Sequence, residues 1–298
     1  LASPSPKKKG NMTTQIKRNS VNLFDRSRLT VIAGPCMLES RDVAVAVLKV
    51  MQPLCLKLGV TYVFKASFDK ANRTSARSTR GPGLDGLGLL SALRDEFGVP
   101  VLTDIHSPHQ AKLAADAVDI LQIPAFLCED VALLQAAAAT GRTVQIKKGQ
   151  YLAPERLRVI LSIMKNVPEC GPVVFCERGT SLGYHNLVVD YRNLDAMRWL
   201  GTPVVFDATH AVQLPGAAKG ASSGKREHIP TLARAAAAAG IDGLFMEVHP
   251  NPSQALSDRD TQLSPSEAVA LLQHVVALDK ESRRLGFLNM DAATPSST

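Results

Sequence analysis

The sequence has no apolar run of the roughly 18 residues that a membrane-spanning helix needs. No apolar stretch of roughly 7–15 residues follows its basic start, so a secretory signal is not expected. Cysteine is sparse: Cys36, Cys55, Cys128, Cys170 and Cys176 are an odd number, irregularly spaced, with no CxxC pair. That excludes a disulfide framework and fits a reducing, cytoplasmic compartment. Acid is nearly absent from the first 28 residues. Asp25 stands alone there against Lys7, Lys8, Lys9, Lys17, Arg18, Arg26 and Arg28. Six of the seven net positive charges therefore lie in that segment, and the rest of the chain is close to neutral. The basic charge belongs to a tail, so neither a nucleic acid nor a membrane surface is expected as partner.

A Pro/Ser/Lys-rich segment cannot bury enough surface to order itself. Residues 1–28 and 288–298 are accordingly expected to be disordered tails around one folded unit, 29–287. That unit has material for a large core, since 45% of the 298 residues are hydrophobic and 20% charged.

Short β-branched runs alternate with longer Ala/Leu-rich segments. Strands are predicted at 29–34, 61–66, 100–105, 119–123, 143–147, 172–176, 203–208 and 243–248. Each is a near-continuous apolar run, as parallel strands buried on both faces require. Helical spacing predicts helices at about 42–58, 84–97, 108–116, 130–140, 154–166, 191–200, 228–239 and 264–285. Pro108 and Pro154 suit first turns, and Gly59, Gly98, Gly141 and Gly240 suit helix ends. Strict alternation repeated eight times predicts a single (β/α)8 TIM barrel over an open doubly wound sheet. Three connections, 67–83, 178–190 and 209–227, exceed what a simple βα loop needs, and long loops on that face carry function.

Polar residues gather at one end of these strands: Cys36, Lys65, Asp104, His106, Gln122, Lys147, Lys148, Glu177, Arg178, Asp207, His210, Glu247 and His249. In a barrel they ring one mouth. Singly, each has an ordinary explanation as a surface charge, a core thiol or a structural histidine; their convergence is the signal. One group is cationic: Lys65, Lys70, Arg73, Lys147 and Arg178, with Arg77 or Arg80, beside Asn72, Thr74 and Ser75. It suits phosphate or carboxylate groups, because guanidinium forks grip such anions bidentately. A second group, Cys36, His210, Glu247 and Asp258, offers donors for a divalent transition metal, though no spacing rule ties these four together.

These residues sit in runs that resemble the 3-deoxy-manno-octulosonate 8-phosphate synthase family. The runs are Ala33-Gly-Pro-Cys36, Lys65-Ala-Ser-Phe-Asp-Lys-Ala-Asn-Arg73-Thr-Ser, Arg80-Gly-Pro-Gly83 and Thr103-Asp-Ile-His106. Gln122-Ile-Pro-Ala-Phe126, Gln145-Ile-Lys-Lys-Gly-Gln150, Cys176-Glu-Arg-Gly179, Phe206-Asp-Ala-Thr-His210 and Phe245-Met-Glu-Val-His-Pro250 continue them. The resemblance spans roughly 29–285. It implies condensation of phosphoenolpyruvate with arabinose 5-phosphate and water, for the Kdo unit of lipopolysaccharide, by a cytoplasmic homotetramer. In the reaction it implies, the enol carbon attacks the sugar aldehyde, water adds to the enol-ether carbon, and phosphate leaves with C–O cleavage.

Cys36 resembles the branch of the family that requires a divalent ion, and the ligands implied are Cys36, His210, Glu247 and Asp258. Zinc, iron, manganese and cobalt all fit such donors. Lys70, Lys147, Arg178 and Gln122, with backbone near Ala125, are implied to hold phosphoenolpyruvate. Asn72, Arg73 and Thr74 are implied to hold the sugar phosphate. Lys65 joins the substrate-binding cations, and Asp104, Asp207 and His210 are candidates for orientation and proton transfer, with Lys70, Lys147 and Asp258 beside them in the chemistry. The nearest rival is the sister synthase that uses erythrose 4-phosphate, against which the Lys70-Ala-Asn-Arg73 run speaks. A Schiff-base aldolase using Lys65 or Lys147, and an anionic-surface binder driven by the tail, are the readings from other classes.

Overall fold

The computed structural model describes residues 23–70, 79–218 and 221–286, without the side chains of 216–218, 221 and 222. Eight parallel strands close into a barrel in chain order: β1 (Thr30–Gly34), β2 (Thr61–Lys65), β3 (Val101–Asp104), β4 (Ile120–Ile123), β5 (Thr143–Lys147), β6 (Val173–Glu177), β9 (Val204–Asp207) and β12 (Gly243–Glu247). β12 pairs back on β1 with Thr30 opposite Gly243 and Gly34 opposite Glu247. Closure excludes the open-sheet alternative. The outer helices are α1 (Arg41–Leu58), α2 (Asp85–Phe97), α3 (Pro108–Ala117), α4 (Val131–Ala138), α5 (Leu157–Lys165), α6 (Arg192–Arg198), α7 (Ile229–Ala239) and α8 (Pro265–Leu285).

The helices begin where the sequence supplies caps. Ser40, Ser107 and Asp130 accept the N–H of Val43, Gln110 and Leu133 at the starts of α1, α3 and α4. Ser264 and Glu267 form a reciprocal capping box at α8.

The strands obey a period of two that their apolar runs conceal. Outward residues such as Val31, Phe64, Leu121, Val144, Phe175, Val204 and Leu244 pack in one core with the helices. Inward residues Ile32, Val63, Leu102, Ile120, Val174, Val205 and Phe245 form a second core inside the barrel. One step further up six of the eight strands, the inward position is polar: Lys65, Asp104, Gln122, Lys147, Asp207 and Glu247, all buried; β1 ends there in Gly34 and β6 carries Cys176. The apolar layer thus becomes the floor of a polar mouth.

The lower end of that inner core is plugged by Leu23 and Phe24, 8% and 3% exposed. Thr30 Oγ1 donates to the Leu23 carbonyl at 2.5 Å, and Arg26 Nη2 to that of Thr202 at 3.1 Å. The expected tail, 1–28, is therefore corrected: its last six residues belong to the fold, because the barrel floor leaves apolar surface that two side chains cover. Residues 1–22 and 288–298, the remainder of the expected tails, lie outside the described residues, as does Phe287, the last residue of the expected folded unit.

Two of the long loops carry hairpins of their own. β7 (Thr180–Ser181) pairs antiparallel with β8 (Leu187–Val188), and β10 (Gln213–Ala218) with β11 (Ala221–Gly224). The third, 67–83, is described only through Lys70 and from Thr79 onward.

Candidate active site

A cavity of about 360 Å³ opens at the polar mouth, walled by side chains from the strand ends and from the 209–227 loop. Lys65, Lys70, Asp104, Gln122, Ala125, Lys147, Arg178, His210, Glu247 and Asp258 all line it. Asp207 lies fully buried against Lys147 and His210. Cys36 is buried against Asp258 and the Lys65 ammonium. The predicted Asn72, Arg73 and Thr74 fall outside the described residues.

Most of the cations are already held. Lys147 Nζ sits 2.6 Å from Asp207 Oδ2 and 3.9 Å from the centre of the Phe245 ring. Lys65 Nζ donates to Glu247 Oε1 at 2.7 Å and to the Cys36 carbonyl at 2.8 Å. Lys70 Nζ lies 3.3 Å from Asp104 Oδ2. Asp104 also accepts from Ser67 Oγ and Gln122 Nε2, and Gln122 in turn accepts from Gln145 at 2.7 Å. Burial by itself would discharge these groups. It is outweighed for Lys147 by Asp207, and for Lys70 by Cys36, Asp104, Glu247 and Asp258, so both ammoniums titrate above the ordinary lysine range. Burial likewise opposes ionisation of Asp104 and Asp207. Lys70 and Lys65 hold the first carboxyl well below its usual range, and His210 and Lys147 hold the second there. A Schiff-base lysine needs a neutral amine, so Lys147, locked as an ammonium, does not suit that rival reading.

Arg178 differs. Its backbone and that of Gly179 are pinned by Glu177 Oε1, at 3.1 and 2.6 Å, and Glu177 lies 3.7 Å from the fully buried Lys148. Its Nη2 donates to Gln213 Oε1 at 2.9 Å. Its Nε and Nη1 are buried with no hydrogen-bond partner among the described residues, while the residue as a whole lines the cavity. Unsatisfied donors on a guanidinium cost stability unless an anion fills them.

The second corner gathers metal donors. Ligand atoms of Cys36, Glu247 and Asp258 all lie within 4.8 Å of one another. Cys36 Sγ is 2.8 Å from Asp258 Oδ2. Glu247 Oε2 is buried without a hydrogen-bond partner among the described residues. Burial, then the charges of Asp258 and Glu247, push the Cys36 thiol far up. His210 stands beside this triplet rather than within it, its Nε2 3.7 Å from Glu247 Oε1. Asp207 grips the other ring nitrogen, 2.8 Å from Nδ1. A carboxylate behind one imidazole nitrogen aims the other at a metal. An orphaned carboxylate oxygen, a thiol and an aimed imidazole fit a divalent transition ion. Asp258 itself sits at φ 49°, a left-handed backbone that non-glycine residues seldom adopt outside constrained sites.

The profile of the DAHP synthetase I family matches residues 13–284. A Cyanothece protein named 2-dehydro-3-deoxyphosphooctonate aldolase is 49% identical over 261 residues, 87% of this chain and 94% of that one. A Synechococcus protein of the same name is 52% identical over 256 residues, 86% and 90% of the two chains. One from Bordetella bronchiseptica is 49% identical over 264 residues, 87% and 93%.

The chain belongs to the 2-dehydro-3-deoxyphosphooctonate aldolase family. That membership accounts for the barrel and for the polar mouth on the C-terminal face. Within this aldolase site, the sequence alone assigned no role to Ser67, Gln145 and Gln213, which tie the charged groups together. Neutral amides and hydroxyls carry no periodic signal, and only the closed barrel shows what they reach. His249, a strand-end residue, turns away from the cavity toward Glu39, with Nε2 3.4 Å from Oε2.

Proposed function

We propose that the chain condenses phosphoenolpyruvate with D-arabinose 5-phosphate and water, giving 3-deoxy-D-manno-octulosonate 8-phosphate and inorganic phosphate, with a divalent metal bound at Cys36, His210, Glu247 and Asp258. The observation that carries this is a cavity-lining arginine, Arg178, with two buried nitrogens unpartnered among the described residues, in the same cavity as a thiol–carboxylate corner. The shared name of relatives aligned over nearly their whole length supports the same reading.

Arg178 and Lys147 hold the phosphate and carboxylate of phosphoenolpyruvate, with Lys70, Gln122 and the backbone at Ala125 completing the cradle. Asn72, Arg73 and Thr74 hold the sugar phosphate. Asp104 and Asp207, kept ionised, fix the ammoniums of Lys70 and Lys147, so these donors are in place before substrate arrives. Lys65, spanning Glu247 and the Cys36 carbonyl, supports the metal corner from inside the barrel. The enol carbon attacks the aldehyde, and the protonated Lys70 is placed to stabilise the oxygen that gains charge. Water then adds to the enol-ether carbon, and phosphate leaves with C–O cleavage. A bound divalent ion would supply Lewis acidity toward the aldehyde or the water.

The exposed Phe126, Val131, Tyr151, Leu182, Tyr184 and Val188 lie after β4, β5 and β6. The homotetramer is proposed on the family resemblance, with these loops among the places where exposed apolar side chains are found. Five free cysteines suit the cytoplasm, and no described helix is long and apolar enough to cross a membrane.

The test is phosphate release from phosphoenolpyruvate with arabinose 5-phosphate or erythrose 4-phosphate, with and without chelator. Release with the five-carbon sugar, abolished by chelation and restored by metal, is expected. Preference for erythrose 4-phosphate would overturn the substrate assignment. Full activity after thorough chelation would overturn the metal.

A further inference from the structure

Gln262 is fully buried, lies outside the cavity wall, and belongs to none of the groups assigned above. Its side-chain Oε1 accepts the backbone N–H of Cys36 at 3.1 Å, across 226 residues of chain. Its Nε2 donates to the Ser257 carbonyl at 2.8 Å. Its own backbone N–H donates to the Asp258 carbonyl at 3.1 Å, and the next residue, Leu263, donates to the Glu247 carbonyl at 2.9 Å. One two-residue segment therefore touches the backbone of three donor residues from three separate parts of the fold: the end of β1, the end of β12 and the loop after it.

We infer that Gln262 is the positioning residue of the metal corner, setting the separation of Cys36 and Asp258 so that their side chains converge on one ion. The inference rests on the metal reading above. Cys36 follows Gly34 and Pro35 past the end of β1; its carbonyl takes the Lys65 ammonium, and the chain pairs again only beyond it, where Met37 bridges Ser67. Its N–H has the Gln262 amide as its partner, which fixes the Cα from which the thiol is projected. Asp258, at φ 49°, needs its turn closed from both sides. The amide closes it through Ser257, and the Gln262 and Thr261 N–H groups close it through the Asp258 carbonyl, at 3.1 and 3.0 Å. The outcome is Sγ 2.8 Å from Oδ2. A side chain with a single polar atom could satisfy one of these backbones but could not tie the two together. Partners that orient ligands in this manner set metal affinity by about 10- to 100-fold.

The test is Gln262→Met, which keeps the side-chain length and removes both hydrogen bonds. Full-length protein is stripped and titrated with Co2+ against a competing chelator, following the thiolate-to-cobalt charge-transfer band. Affinity is expected to fall about 10- to 100-fold, with the band weakened or shifted. Phosphoenolpyruvate affinity of the metal-free protein, which depends on the cation arc, should stay within about twofold of wild type. Should the Met variant not fold, Gln262→Asn keeps a neutral amide one methylene too short to span both partners. It is expected to weaken cobalt in the same direction. A folded variant with wild-type cobalt affinity and band would overturn the inference alone. Equal losses in cobalt and phosphoenolpyruvate affinity would also overturn it, as the mark of general structural damage. Absence of any cobalt band in wild type would overturn the metal reading and this inference with it.

Discussion

Arg178 has two buried nitrogens, Nε and Nη1, without a partner among the described residues, while Gln213 takes Nη2 and the Glu177-pinned backbone holds the residue in place. Lysine cannot reproduce a planar fork. Arg178→Lys is therefore expected to lower kcat/KM for phosphoenolpyruvate about 10- to 100-fold, read by steady-state phosphate release, with an unchanged melting temperature. Asp104 bears on stability as well as on chemistry. Lys70 and Lys65 overcome its burial and hold its carboxyl well below the ordinary aspartate range. A carboxyl depressed in the folded state stabilises the fold above its unfolded value of about 3.9, and that contribution is lost as pH falls toward the folded value. Wild type should thus lose urea resistance between about pH 5 and 3, and Asp104→Asn should lose less over that window, as shown by unfolding midpoints at each pH. These charged residues were legible in the sequence because each ends a strand. The amides were not, since Gln213 and Gln262 lie in connections between barrel elements and reach groups in other connections: Arg178, Asp258 and Cys36, 35, 45 and 226 residues away in the chain.

Within the elements, β1 shows how closely the mouth is built. A Cβ on Gly34 would lie 2.0 Å from the Lys65 carbonyl oxygen of β2. Only glycine allows the two strands to approach at the level where Pro35 and Cys36 leave the barrel. Gly34→Ala is expected to force β1 outward, costing about 1–3 kcal/mol in urea unfolding and weakening metal retention on dialysis. All eight strands were readable as apolar runs because parallel strands are buried on both faces. The same continuity hid which residues face inward, and that assignment came only with the register of the closed sheet. Leu23 and Phe24 escaped for a different reason: two apolar residues amid basic ones make no pattern, and their role follows from a floor that exists only after closure.

At the scale of the whole molecule, the fold places its chemistry at one end and its plug at the other. Among the described residues, four cations meet four carboxylates at the upper end: Lys65, Lys70, Lys147 and Arg178 against Asp104, Asp207, Glu247 and Asp258. The balance has a consequence for binding order. These eight groups balance one another, and they gain an excess of negative charge from a phosphate and a carboxylate, and an excess of positive charge from a divalent ion. Each visitor corrects what the other unsettles, so their affinities are coupled. Coupling of this kind is reciprocal: the factor by which metal tightens phosphoenolpyruvate equals the factor by which phosphoenolpyruvate tightens metal. Paired calorimetric titrations, each ligand in the presence and absence of the other, should return a single factor above one. This described part of the mouth is then less a positive trap for anions than a balanced frame that admits its ionic guests together.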